Sequence, residues 1–192
     1  MHNLRKTLQK EDIGPIIRRF FINTLFDSTF MLLGIIVGVA FAPDLSVGIV
    51  LITMVSSSLA LGMSSGVSVY EAESLERERK ISELEKALFR DLSGTRIEKG
   101  ARSVVAVAVL INFSTPLVSC AVTMWPLALA ASNILATSVA TWLSVALALS
   151  TLFGAGAYFG RLGKKNPWIK GLRMTIFGLI AFLVGVFLHA LV

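Results

Sequence analysis

The run Ser46–Lys80, SVGIVLITMVSSSLALGMSSGVSVYEAESLERERK, decides how the rest of the chain is read. Its middle holds a literal G-x-S-x-G at Gly62, Ser64 and Gly66. That is the spacing of a hydrolase nucleophile elbow, which needs a short strand, a sharp turn, and a histidine and an acid later in the chain. The stretch from Ser46 to Tyr70 is instead one long apolar run with small residues, and the only histidines, His2 and His189, lie at the two extremes of the sequence. The glycines are therefore read as small residues in a membrane helix. The charged sequence after Tyr70 is read as the same helix entering water.

Composition supports that reading. Of 192 residues, 55% are hydrophobic and 16% charged, and the mean hydropathy is +0.76. A soluble domain of this size would lack polar surface. Five apolar blocks, approximately 20–42, 46–70, 104–125, 133–159 and 171–192, are each long enough to cross the ~30 Å hydrocarbon of a bilayer as a helix. The expected fold is all-α: a polytopic membrane protein with five transmembrane helices in one domain, 1–192, and the lipid bilayer as its solvent.

The net charge of +6 raises nucleic acid as a partner, and the placement of the charge argues against it. All 18 basic residues fall in Arg5–Arg19, Arg77–Arg102 or Arg161–Arg173. The connections around Pro43-Asp44 and Trp125–Asn133 have none, so the positive-inside rule predicts a cytoplasmic amino terminus and an outside carboxyl terminus. With a polar start and no small-residue cleavage site after it, the first block is read as an anchor rather than a signal peptide. Cys120 is the sole cysteine, which leaves no disulfide or thiolate cluster to expect.

The amino-terminal segment reads as a short cytoplasmic helix broken near Gly14-Pro15. Residues 71–102 form a charged cytoplasmic helical segment in which Ile81, Leu84 and Leu88 share a face and Ser93-Gly94 supplies a stop. Small residues recur at Gly34 and Gly38, at Gly154, Gly156 and Gly160, and at Gly171, Gly178 and Gly185. Such stripes serve contacts within one chain or between two.

Asp27 is the group that asks for a function. It lies about 10 Å inside the first block at helical rise, where a carboxylate is expensive unless paired or wetted. Asn23 shares its helix face. In the second block Met63, Val67 and Glu71 stack at i, i+4 spacing, with Gly62 and Gly66 leaving room beside them. A thioether and a carboxylate suit a borderline divalent metal, although methionine is also ordinary core filler. Asn112, Ser114 and Thr115 precede Pro116, whose missing N–H frees a carbonyl one turn earlier. Broken backbone at that depth is either a plain kink or part of a helix path for an ion. His189 reads as a residue snorkelling to the interface.

Together these features resemble the vacuolar iron transporter family, in a divergent form with a short cytoplasmic segment. The family has five spans, a cytoplasmic amino terminus and an acid-rich helical segment between the second and third spans. Its first-span motif, close to N-D-G-L-x-x-x-F-x-L-x-x-G, is similar to FDSTFMLLGIIVG here, with Asp27 on the aspartate and Ser28 in place of a glycine. Its S-M-A-x-G-E-Y-x-S is similar to GMSSGVSVY, with Met63 and Gly66 matched and Val67 where the family has glutamate. Its closing G-L-x-M-x-x-x-G-x-x-A is matched by Gly171, Leu172, Met174, Gly178 and Ala181.

The resemblance implies a divalent cation transporter, moving iron or manganese out of the cytoplasm in exchange for protons. Because five spans cannot divide into two equal inverted halves, a two-fold partner is expected to restore the symmetry a transporter uses, making the protein a homodimer; the membrane would be a prokaryotic cell membrane or, otherwise, a vacuolar-type one. Asp27 and Met63 would bind the metal, Glu71 would receive it or exchange protons, and Glu73, Glu76 and Glu78 would raise the local cation concentration. Asn112 and Pro116 mark the helix path. No cofactor and no enzymatic step are expected, since nothing converges as a nucleophile and base would. The alternative is a non-catalytic membrane scaffold or partner-binding subunit, docked through the charged helix.

Overall fold

Backbone polar groups in hydrocarbon must pair within the segment that carries them, so apolar blocks of this length fold as helices. The structure, a computed structural model, has five: α1 (His2–Phe41), α2 (Val47–Leu88), α3 (Arg96–Ala131), α4 (Thr137–Leu162) and α5 (Pro167–Leu191), and no strand among the described residues. Residues 2–41, 46–164 and 166–191 are described; Asp44 and the side chains of His2, His189 and several others, mostly near the termini, lie outside that description. Each helix contains a stretch long and apolar enough to cross a membrane. At 42 residues, α2 is roughly 63 Å long, about twice the hydrocarbon thickness. Its charged half therefore extends beyond the span as one unbroken helix.

Several helix ends differ from the expected ones, α5 for instance beginning at Pro167. α1 continues through Gly14-Pro15, because one proline removes a single backbone bond and bends a helix more readily than it ends one. There, Arg18 Nε donates to the Gly14 carbonyl at 2.9 Å. α2 stops at Leu88 rather than at Ser93-Gly94: Phe89 turns left-handed at φ 49° and the Arg90 N–H reaches back to Glu85 O at 3.2 Å. α3 runs past Trp125, through Pro126, to Ala131. It closes with Asn133 at φ 57°, its N–H bonded to Ala130 O and that of Ile134 to Leu129 O. This paired-bond stop tolerates asparagine in the left-handed position. α4 accordingly begins at Thr137, not at Asn133.

The turn into α3 is polar throughout. Asp91 Oδ1 accepts from the Ser93 hydroxyl at 2.6 Å and the Ser93 N–H at 2.8 Å, and these bonds hold its carboxyl below the ordinary range. Gly94, at φ 70°, donates its N–H to Glu98 Oε2 at 2.6 Å.

Contacts gather the chain into two sets: residues 1–24 with 61–115, and 25–60 with 116–192. In the first, α2 lies against α3 at Gly62 and Gly66. A methyl group on Gly62 would stand 2.7 Å from Phe113 O, and one on Gly66 3.7 Å from the Phe113 side chain. In the second, α4 and α5 pack along their length. A methyl at Gly156 would lie 2.8 Å from Lys170 O, one at Gly160 2.6 Å from Pro167 Cα, and one at Gly171 2.9 Å from the Phe153 ring. Gly178 presses on Leu152, and Gly185 on Val37 of α1. These glycines serve close helix approach within one chain, where dispersion rather than water drives association. A methyl group on Gly34, Gly38 or Gly154 would meet no other helix or side chain within 4 Å among the described residues.

Candidate functional site

α1 sorts its polar residues between two faces. Thr24, Ser28 and Thr29 turn inward. Ser28 and Thr29 donate to Leu25 O at 2.9 and 2.7 Å, the back-bonding expected of hydroxyls in a helix with no water to meet. Asn23 and Asp27 face outward, as do Gly34 and Gly38. The spacing 23, 27, 34, 38 keeps all four on one side of the helix. The carboxylate inside the first span thus belongs to an outer stripe that continues into the open glycine pair.

α2 divides similarly. Gly62, Ser65 and Gly66 turn toward α3, while Met63 is 57% and Val67 62% exposed and Glu71 is exposed as well. Met63, Val67 and Glu71 therefore make an outward strip, and the room at the glycines is taken by α3. Ser64 is exposed in mid-helix with no turn around it. The G-x-S-x-G pattern here has none of an elbow's geometry.

Asn112 and Pro116 are fully enclosed. Thr24 Oγ1 donates to Asn112 Oδ1 at 2.5 Å, and Asn112 Nδ2 donates to Ala108 O at 3.1 Å. Ser65 Oγ donates to the Asn112 main-chain oxygen at 3.3 Å. That oxygen lies four residues before Pro116 and has lost its helical donor. The side chain and carbonyl of Asn112 are all engaged, so this cluster ties α1, α2 and α3 together. The sequence carried the proline signal; Thr24 and Ser65 as its partners had none, because ordinary helical hydroxyls look the same.

The acidic residues of α2 also separate. Glu76 and Glu78 are exposed, and Glu76 pairs with Lys80 at 3.5 Å. Glu73 is buried, 4% exposed, with Arg77 Nε 3.9 Å from its Oε2. Glu73 Oε2 and the Arg77 Nε and Nη2 have no hydrogen-bond partner. Their i, i+4 spacing was legible as a pair; its burial was not. Among the described residues no three of His, Cys, Asp and Glu gather as a metal-binding group.

No family model matches the chain, and no solved structure matches it. A protein of Methanocaldococcus jannaschii described as uncharacterized is 24% identical over 160 residues, 82% of this chain and 80% of its own length. The similarity thus runs through most of both chains, from a relative whose description carries no activity.

Proposed function

We propose that this chain is a divalent metal transporter, a homodimer that moves iron or manganese out of the cytoplasm in exchange for protons, with its amino terminus cytoplasmic and its carboxyl terminus outside. One observation carries the reading: Asp27 is exposed on the outer side of a membrane-spanning helix, in line with the open Gly34 and Gly38. A carboxylate at that depth is expensive, and carboxylates inside spans mark ion or proton paths. A two-fold contact along this stripe, where small residues let helices approach, brings two copies of Asp27 to one path. Carboxylate oxygen, as on Asp27, and thioether sulfur, as on the outward Met63, are each donor types that a borderline metal takes. Glu71, Glu76 and Glu78 add negative field at the cytoplasmic mouth. Glu73, turned inward against Arg77, is left to hold α2. The resemblance to vacuolar iron transporters points the same way, and the absence of Lys and Arg from 103–160 supports the orientation.

A partner-binding scaffold is favoured by a different observation. Beyond the span α2 displays Leu75 at 70% and Leu88 at 57% exposure, and Phe89 directly after it is 96% exposed, apolar positions that a docking protein would cover.

Reconstitution separates the two. Liposomes loaded with a metal-sensitive dye should take up Fe²⁺ or Mn²⁺ with wild-type protein, faster with an opposing proton gradient, and not with Asp27→Asn. Uptake by folded Asp27→Asn equal to wild type overturns the transport role of Asp27 and favours the scaffold.

A further inference from the structure

Between α1 and α5 lies a cleft of about 620 Å³. Its walls are apolar: Phe26 and Phe30 from α1, and Met174, Phe177 and Ile180 from α5. Lys170 and Arg173 line it at one end, and neither is in an ion pair among the described residues. The Arg173 guanidinium stands 5.8 Å from the centre of the Phe177 ring, so its charge sits where the aromatic wall begins. Trp168, 72% exposed and packed at 5.7 Å on Phe153, lies within two turns of both cations. Aromatic residues of this kind mark headgroup depth.

Length decides what fits. From Lys170 to Ala181 the cleft follows α5 for roughly 16 Å at helical rise, about half of a ~30 Å hydrocarbon core. Two cations at headgroup depth, followed by an apolar groove one leaflet deep, complement an anion joined to a hydrocarbon chain. We propose that the cleft between α1 and α5 is a binding site for an anionic phospholipid, its phosphate held by Lys170 and Arg173 and one acyl chain lying along Phe26, Phe30, Phe177 and Ile180. A soluble phosphate would satisfy the cations and leave the groove empty. The site uses neither Asp27 nor any residue of α2, so lipid selectivity can be read apart from metal transport.

Native mass spectrometry of the full chain in mild detergent tests this, using phosphatidylglycerol and phosphatidylcholine with the same acyl chains. Each cation at an anionic surface contributes about fivefold in affinity, so wild type should favour phosphatidylglycerol by roughly 25-fold. The double variant Lys170→Gln/Arg173→Gln should bring that ratio close to one. Lys164→Gln, on the connection outside the cleft, should leave it unchanged. Ala181→Phe, which narrows the groove and keeps both cations, should weaken phosphatidylglycerol binding. Millimolar inorganic phosphate should fail to displace the lipid. The site is overturned by equal retention of both lipids, by a double variant with wild-type selectivity, by Ala181→Phe with wild-type affinity, or by displacement with phosphate alone. Each single cation variant, folded by its thermal transition, gives an intermediate ratio if the double variant does not fold.

Discussion

Ser65 of α2 donates its hydroxyl to the main-chain oxygen of Asn112 in α3, at 3.3 Å, and that oxygen is the one Pro116 leaves without a helical N–H. Gly62 makes the approach possible, since any side chain there would meet Phe113 O. A proline inside a membrane helix is tolerated when a neighbouring helix satisfies the freed carbonyl. Here the neighbour is identified by residue.

Ser65→Ala should therefore destabilise the protein by about 0.6 kcal/mol, the usual worth of an interhelical bond in a membrane. Gly62→Ala should cost more, ~1–3 kcal/mol, because the helices must part. The decisive comparison is a double-mutant cycle. With Pro116→Ala the helical donor returns, and Ser65→Ala should then cost close to nothing. Thermal unfolding in detergent measures both, and an unchanged cost in the two backgrounds would refute the pairing.

Glu73 and Arg77 make the second test. A buried pair at 3.9 Å with three polar atoms unbonded is poorly compensated for the water it has lost. Removing one partner leaves the other charge stranded, at about 3 kcal/mol or more, whereas replacing both with apolar residues is often neutral. Arg77→Met alone should thus lower the unfolding temperature clearly. Glu73→Leu with Arg77→Met should restore it to wild type or above. A double variant as unstable as the single would mean that the charges contribute more than they cost.

Phe89 ends α2 in a conformation that glycine adopts freely. An L residue at φ 49° gives up about 1–2 kcal/mol to steric crowding, and at 96% exposure its ring returns nothing through burial. Phe89→Gly should slow amide exchange in the last turn of α2 by a factor of a few. Faster exchange would show that the ring has a local anchor.

How much of this was legible follows from which forces are local. The apolar blocks could be read because crossing hydrocarbon needs about twenty uncharged residues in a row. The stops at Phe89 and Asn133 could not, because left-handed closure without glycine has no strong residue signature. Gly156, Gly160, Gly171 and Gly178 were visible as small residues, but only packing told that α4 and α5 use them on each other, while Gly34 and Gly38 stay open. Periodicity set Asp27 beside Asn23; that this face points outward depends on where Leu32, Leu33 and Ile36 are buried, a tertiary fact. Glu73 differs from Glu76 and Glu78 for the same reason.

Orientation is open to labelling. Ser93 lies in the turn between α2 and α3, Ser132 in the one between α3 and α4, and both are exposed, whereas the native Cys120 is buried. In a Cys120→Ala background, a membrane-impermeant maleimide added to intact cells should modify Ser132→Cys and should reach Ser93→Cys only after lysis. The reverse pattern would invert the topology and, with it, the proposed direction of transport.

Met63 gives the finest test of the metal reading. Leucine preserves its approximate volume, so Met63→Leu removes sulfur and little else on a strip that is 57% exposed at that residue. Thioether sulfur is a soft ligand, and its contribution rises from Mg²⁺ through Mn²⁺ toward Fe²⁺. The variant should lose Fe²⁺ uptake by more than it loses Mn²⁺ uptake, shifting selectivity toward the harder ion. Asp27→Asn should instead suppress every divalent ion together, since the carboxylate's charge offsets dehydration whatever the metal. An equal loss for all ions in Met63→Leu would reduce the thioether to packing, and unchanged selectivity at full activity would remove Met63 from the path.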